Sequence, residues 1–152
     1  MSLAEGLRKT MSNELTFYHV WFGTKRRKWL LLGEVEEKVK EFIREIAKQK
    51  DINLLACETM VDHMHLLLKS TPADLPKSMK FLKGISSRRV FEAFPDLKLD
   101  AETNRFWQEH YGCKVIAFES IDTVISYIST QKERPEKFES FNVKLGTSAL
   151  QF

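Results

Sequence analysis

The sequence predicts an α+β fold of the split βαβ, ferredoxin-like type. This is an antiparallel four-stranded sheet with two helices on one face and one extra C-terminal helix, which carries Tyr127. Three observations predict it. Strand-like and helix-like periodicity follow one another in the order strand, helix, strand, strand, helix, strand, helix. Only Val61 and Asp62 separate the second strand from the third, which calls for an antiparallel hairpin. Pro72, Pro76, Pro95 and Pro135 fall at the ends of elements rather than inside them.

Residues 1–13 are polar and read as an N-terminal extension, a candidate for disorder with no assigned function. The first strand, Leu15 to Phe22, is aromatic and β-branched and apolar on both faces, as a central strand should be. From Gly33 to about Lys50, apolar residues at Val35, Val39, Phe42, Ile43 and Ile46 have helical spacing, with an acidic start and a basic end that suit the helix dipole. Ile52 to Met60 and Asp62 to Leu68 are the hairpin strands. Leu75 to Phe94 is a second amphipathic helix with Leu75, Met79, Leu82, Ile85 or Ser86, and Val90 inward. Cys113 to Phe118 is the fourth strand, and Ser120 to about Arg134 the last helix, with Ser120 or Asp122 as start signals. The first and third strands are expected at the centre of the sheet.

Composition limits the function classes. With 152 residues, 43% hydrophobic and 30% charged, the chain suits one domain over residues 14–137 with a short tail, 138–152. No run approaches the roughly 18 apolar residues of a membrane span. The start of the chain has no long apolar segment or cleavage-site pattern, so a cytoplasmic protein is expected. Cys57 and Cys113 form no C-x-x-C pair and are expected as buried thiols. A net charge of +3 is too mild to announce a nucleic-acid binder, so local clusters matter more.

The stretch Asp62-His63-Met64-His65-Leu66-Leu67-Leu68 holds two of the four histidines. On a strand, His63 and His65 share one face with Leu67, while Met64, Leu66 and Leu68 turn toward the helices. Two readings fit: a divalent-metal pair that needs a third donor, or two hydrogen-bonded histidines on a half-buried face. His19, beside Phe17 and Trp21, reads as a hydrogen-bonded structural histidine rather than a ligand. Two basic clusters stand out. Lys25, Arg26, Arg27 and Lys28 precede Trp29, and this run suits either a phosphate backbone with a stacked base or a solvated turn. Lys77, Lys80, Lys83, Arg88 and Arg89 are expected as outward charges of the second helix, with no acid between Lys77 and Glu92. On the last helix the apolar stripe is Ile121, Val124, Ile125 and Ile128, and Tyr127 and Gln131 fall one turn apart on its flank. A tyrosine can attack phosphorus, and a glutamine carbonyl can supply the oxygen that a two-histidine site lacks. The plainer alternative is a border residue and an exposed amide.

Together, His63-Met64-His65 and Tyr127-Ile128-Ser129-Thr130-Gln131 resemble the histidine-hydrophobic-histidine motif and the single-tyrosine helix of the HUH-superfamily transposases of small insertion sequences (the IS200-like type). The likeness runs from about Leu15 to Lys137. It implies a metal-dependent single-stranded DNA endonuclease and strand transferase. In that expectation His63, His65 and Gln131 hold one Mg2+ or Mn2+, and Tyr127 forms a 5′-phosphotyrosine with release of a 3′-hydroxyl. It also implies a homodimer acting on single-stranded DNA with hairpin ends. The two basic clusters would bind that DNA, and Trp29 or Trp107 would stack unpaired bases. Two other readings stand beside it: a domesticated relative acting on repetitive palindromic DNA, and a non-catalytic ferredoxin-like nucleic-acid-binding module.

Overall fold

The computed structural model describes residues 14–98 and 105–130 of the chain. Its elements are β1 (Thr16–Gly23), α1 (Gly33–Gln49), β2 (Asn53–Met60), β3 (His63–Ser70), α2 (Leu75–Ala93), β4 (Gly112–Ile116) and α3 (Ile121–Ser129). The strands form one antiparallel sheet in the order β2-β3-β1-β4, so β1 and β3 are the central pair, as the sequence predicts.

Alternation along the strands divides the sheet into two faces. Tyr18, Val20 and Phe22 of β1 and Met64, Leu66 and Leu68 of β3 are buried in one core with Val39, Ile43 and Ile46 of α1 and Met79, Leu82 and Val90 of α2. Fully burying an aliphatic or aromatic side chain of this size contributes about 1.5–3 kcal/mol, so this face holds most of the fold's stability. The opposite face carries His19, Trp21, His65 and Leu67, each buried. There α3 packs Val124 and Ile128 over Leu67 and Ile116. The extra helix thus covers the face that α1 and α2 leave open.

Local chemistry explains the helix ends. In α1, Glu34 and Glu36 lie in the first turn and Lys48 in the last, the arrangement the backbone dipole favours. In α2, Pro76 stands in the first turn, where no intrahelical N–H is needed, and Pro95 follows the helix C-cap, Phe94.

The structure corrects several sequence expectations. β4 ends at Ile116, because Phe118–Ser120 tightens into a 3-10 turn that leads into α3. Within the described residues α3 runs only to Ser129, and the expected continuation to Arg134 lies outside them. Cys113 is exposed on the edge strand, not buried. Cys57 is half-buried, and burial pushes its thiol up to about 12. Arg89 is no outward charge. Its guanidinium donates to Glu45 Oε2 at 3.2 Å and to Gln49 Oε1 at 2.8 Å, which clamps α2 onto α1. Lys83 turns inward as well, donating to the carbonyls of Glu109 and His110, each at 3.0 Å.

Gly112 lies opposite Trp21 in the β1-β4 ladder, and a Cβ there would overlap the Trp21 indole, whose side chain has no exposed area. Gly84 is the contrasting case, with open space where its Cβ would stand in the middle of α2. We expect Gly112→Ala to lose about 1–3 kcal/mol through overpacking. Gly84→Ala should gain roughly 0.5–1 kcal/mol from helix propensity. Urea unfolding of the two variants beside wild type checks both signs.

Candidate active site

The β2-β3 turn delivers His63 and His65 to the face under α3. Their rings stand 5.1 Å apart between centroids, at 72° to one another. Different groups hold them. His63 Nδ1 lies 2.6 Å from Asp62 Oδ1. Asp62 Oδ2 in turn accepts Arg27 Nε–H at 3.0 Å. Burial alone would raise the Asp62 pKa, but hydrogen bonds and charge from His63 and Arg27 outweigh it and hold the carboxyl down to about 2. An ionised carboxylate can only accept, so the proton in the short contact belongs to His63 Nδ1. The Arg27 Nη2 at 3.3 Å from that same nitrogen is therefore a neighbour and not its proton donor.

His65 has no exposed area, and its Nδ1 lies 2.8 Å from His19 Nε2. Burial lowers the His19 pKa to about 3. Burial, followed by the charges of His19, His63 and Arg27, holds His65 well below its ordinary 6.5. Both rings are neutral near pH 7, so one proton is shared across the contact. When His65 Nδ1 donates to His19 Nε2, its lone pair lies on Nε2. Imidazoles anchored through Nδ1 and bonding through Nε2 are the usual donor set for a transition-metal or related divalent ion. The partner at Nδ1 fixes both the tautomer and the ring direction. The pair therefore fits a divalent metal. Among the described residues no three His, Cys, Asp or Glu side chains group as metal ligands, so a further donor must be of another type or come from elsewhere. Gln131, the donor expected from the sequence, lies outside the described residues.

Tyr127 sits on α3, on the same side of the sheet as the histidine pair, with its hydroxyl oxygen shielded from solvent. The cations of the first cluster separate. Lys25–Arg27 forms a 3-10 turn in which Arg26 points to solvent and Arg27 folds back on Asp62. Trp29 is 72% exposed and can present its ring to a base, whereas Trp107 is 3% exposed and cannot. The Trp107 indole N–H instead donates to Ser86 Oγ at 2.8 Å, which corrects the stacking role expected for it. On α2, Lys77, Lys80 and Arg88 are exposed. Lys80 and Lys83, with Arg105, line a cavity of about 580 Å³ floored by Met79, Trp107 and Tyr111. Burial depresses the Lys83 pKa to about 8 despite the Glu109 charge. Sequence reasoning missed Asp62, Arg27 and His19 as the groups that hold the histidine pair. The adjacency of Asp62 to His63 was the one available signal.

Because His19 and His65 are held neutral, the unfolded chain binds more protons than the folded one below pH 6.5. The stability these histidines contribute is complete above that pH and is lost as the pH falls toward the folded value of about 3 for His19. For His19 alone this amounts to about 2 kcal/mol between pH 7 and pH 5. Asp62 adds a second loss, between its ordinary 3.8 and about 2. Urea unfolding at pH 7 and pH 5 should show the first drop, and His19→Phe should flatten it. A wild-type protein equally stable at both pH values would contradict this account.

Comparison with known proteins agrees with the fold. A family model described as "Transposase IS200 like" matches residues 12–131. The chain is 35% identical over 118 residues to the ISDra2 transposase TnpA of Deinococcus radiodurans, covering 77% of this chain and 84% of that one. It is 29% identical over 127 residues to the transposase for insertion sequence element IS200 of Salmonella typhimurium, covering 83% of each chain. A crystal structure of a protein designated a transposase from Deinococcus radiodurans superposes with a TM-score of 0.62 at 36% identity, over 78% of this chain and 92% of that chain. A REP-associated tyrosine transposase bound to a REP hairpin shares the fold with a TM-score of 0.56 at 13% identity, over 76% of this chain and 66% of that one. With the split βαβ sheet, the paired histidines on its covered face and a family match over most of its length, this chain belongs to the IS200-like transposase family.

Proposed function

We propose that this transposase cuts and rejoins single-stranded DNA at the ends of an insertion sequence through a phosphotyrosine at Tyr127. The observation that carries the proposal is the histidine pair. His63 and His65 are each contacted at Nδ1, His63 by Asp62 and His65 by His19, on the sheet face that α3 covers. His63 and His65, with Gln131, would hold one Mg2+ or Mn2+, which when bound neutralises charge on the scissile phosphate and polarises it. Tyr127 gives up its phenolic proton and its oxygen bonds to phosphorus as the bond to the 3′-oxygen breaks. The 5′ side remains on the enzyme and the other strand ends in a 3′-hydroxyl. The phosphotyrosine conserves the energy of the phosphodiester, so a second 3′-hydroxyl can reverse the attack and rejoin strands without an added energy source.

The DNA contacts proposed are the exposed Arg26, with the half-buried Lys25 and Lys28, beside Trp29, and the exposed Lys77, Lys80 and Arg88 along α2. These would follow the phosphates of a hairpin and its flanking single strand, with Trp29 under an unpaired base. A homodimer, with Tyr127 acting within its own subunit or on the other, completes the proposal.

Labelled single-stranded DNA carrying the hairpins that flank the gene, incubated with Mn2+ and run on a denaturing protein gel, tests the chemistry. Wild type should retain label, and chelator or Tyr127→Phe should abolish it. Binding without label transfer by either protein would favour a non-catalytic nucleic-acid-binding module.

The DNA surface has its own test. Lys77→Ala/Lys80→Ala should weaken hairpin binding and reduce the slope of log affinity against log salt by about 1 per lost phosphate contact. An unchanged slope would move the DNA off α2.

A further inference from the structure

We infer that Asp62 and His19 are positioning residues for the two motif histidines, and that Arg27 acts through Asp62 on His63 and does not serve as a DNA contact. The inference rests on the metal reading above and adds to it three residues outside the motif. On one side a chain of contacts runs from Arg27 Nε to Asp62 Oδ2 at 3.0 Å and from Asp62 Oδ1 to His63 Nδ1 at 2.6 Å. On the other, His19 Nε2 meets His65 Nδ1 at 2.8 Å, with both rings fully buried. Each motif histidine thus has a partner at its Nδ1, a carboxylate for the outer ring and an imidazole for the inner one.

The backbone around Arg27 is shaped for this contact. Arg26 and Arg27 both adopt positive φ, 59° and 54°, a conformation that non-glycine residues take at a cost of about 1–2 kcal/mol each. The turn is held by Arg27 N–H to Thr24 O at 2.9 Å, Thr24 Oγ1 to Lys28 O at 2.6 Å and Thr24 N–H to Asp62 O at 2.9 Å. The last bond ties it directly to the residue that Arg27 pairs with. Gly23 makes room for the arrangement. A Cβ at Gly23 would lie 2.8 Å from Arg27 Cδ and 3.0 Å from Gln108 Oε1, so any larger residue there would have to displace the arginine stem.

The inner pairing has a specific requirement. With His65 donating from Nδ1, His19 accepts at Nε2, and glutamine can offer an acceptor near that position while phenylalanine of similar shape cannot. The outer pairing needs a carboxylate, because an Asn at position 62 would lose the charge that holds the Nδ1 proton and the Arg27 guanidinium together.

The test is Mn2+ titration of the full chain without DNA, followed by electron paramagnetic resonance of the free ion, with single-stranded hairpin binding measured separately in chelator. Thermal unfolding of every variant checks folding. Asp62→Asn and His19→Phe should each weaken Mn2+ binding by about 10–100-fold. His19→Gln should recover most of that loss, and Arg27→Ala and Gly23→Ala should weaken Mn2+ binding less than Asp62→Asn does. Hairpin affinity in chelator should stay at the wild-type value in Arg27→Ala. Folded Asp62→Asn and His19→Phe variants that bind Mn2+ like wild type overturn the inference while leaving the metal site intact. Should His19→Phe fail to fold, Asp62→Asn decides the same question. Arg27→Ala that loses hairpin affinity and keeps Mn2+ affinity returns Arg27 to the DNA surface and overturns its part. His63→Ala separates the two levels: wild type binding no more Mn2+ than His63→Ala overturns the metal reading and this inference with it.

Discussion

The register between β1 and β3 is the constraint on which the site depends. His65 lies opposite Trp21 and His19 opposite Leu67, so the two histidines are diagonal neighbours on one face of the central strand pair. Diagonal positions in an antiparallel pair lie within reach of long or aromatic side chains, and here the imidazoles close to 2.8 Å. A slip of one residue would send His63 and His65 into the apolar core beneath α1 and α2 and bring Met64 and Leu66 to the reacting face. The cost of that exchange is the whole helix-side core, so the hydrophobic pattern that stabilises the fold also sets the position of the histidine pair. Stability and site geometry share one cause.

Asp62 shows how a two-residue turn can add chemistry to a strand. Its backbone carbonyl accepts from Thr24 and its side chain joins Arg27 to His63. The β2-β3 turn and the exit of β1 are thereby fastened to each other at the mouth of the site. Because its two partners hold it ionised, the carboxylate keeps its acceptor role far below neutral pH. His65 needs no such charge, since a fully buried anion beside it would carry a desolvation penalty that a neutral His19 avoids.

Much of this fold was legible because its signals are local. Aromatic and β-branched content marked β1, an apolar run marked β3, helical spacing marked α1 and α2, and two residues between strands forced a hairpin. His19 was legible as a hydrogen-bonded histidine but not as the partner of His65, because strand register is a long-range property. Arg27 was hidden by its neighbours. In a run of four cations nothing in the residue types distinguishes the one that folds back, and arginine has no special preference for the left-handed backbone seen here. Trp107 and Arg89 misled for the same reason. The partners that bury or neutralise them, Ser86 and Glu45, lie 21 and 44 residues away in the chain.

The two faces of the sheet also differ in how firmly their helices are held. α1 and α2 share an extensive core with both central strands, whereas α3, nine residues long, sets only Val124 and Ile128 as fully buried side chains against the sheet. Two such side chains contribute roughly 3–6 kcal/mol. Ordering nine residues of backbone costs on the order of 9–18 kcal/mol before its hydrogen bonds are counted, and a helix this short is marginal alone. Among the described residues, then, the tyrosine helix docks through one small apolar patch, Val124 and Ile128 with the partly buried Ile121 and Ile125 beside them. The histidine pair is fixed by strand register and by Asp62 and His19, independently of that helix. On the mechanism proposed above, delivering Tyr127 from the same chain or from a second copy would be a matter of which helix covers Leu67 and Ile116, and in neither case would the His63 and His65 face need rebuilding.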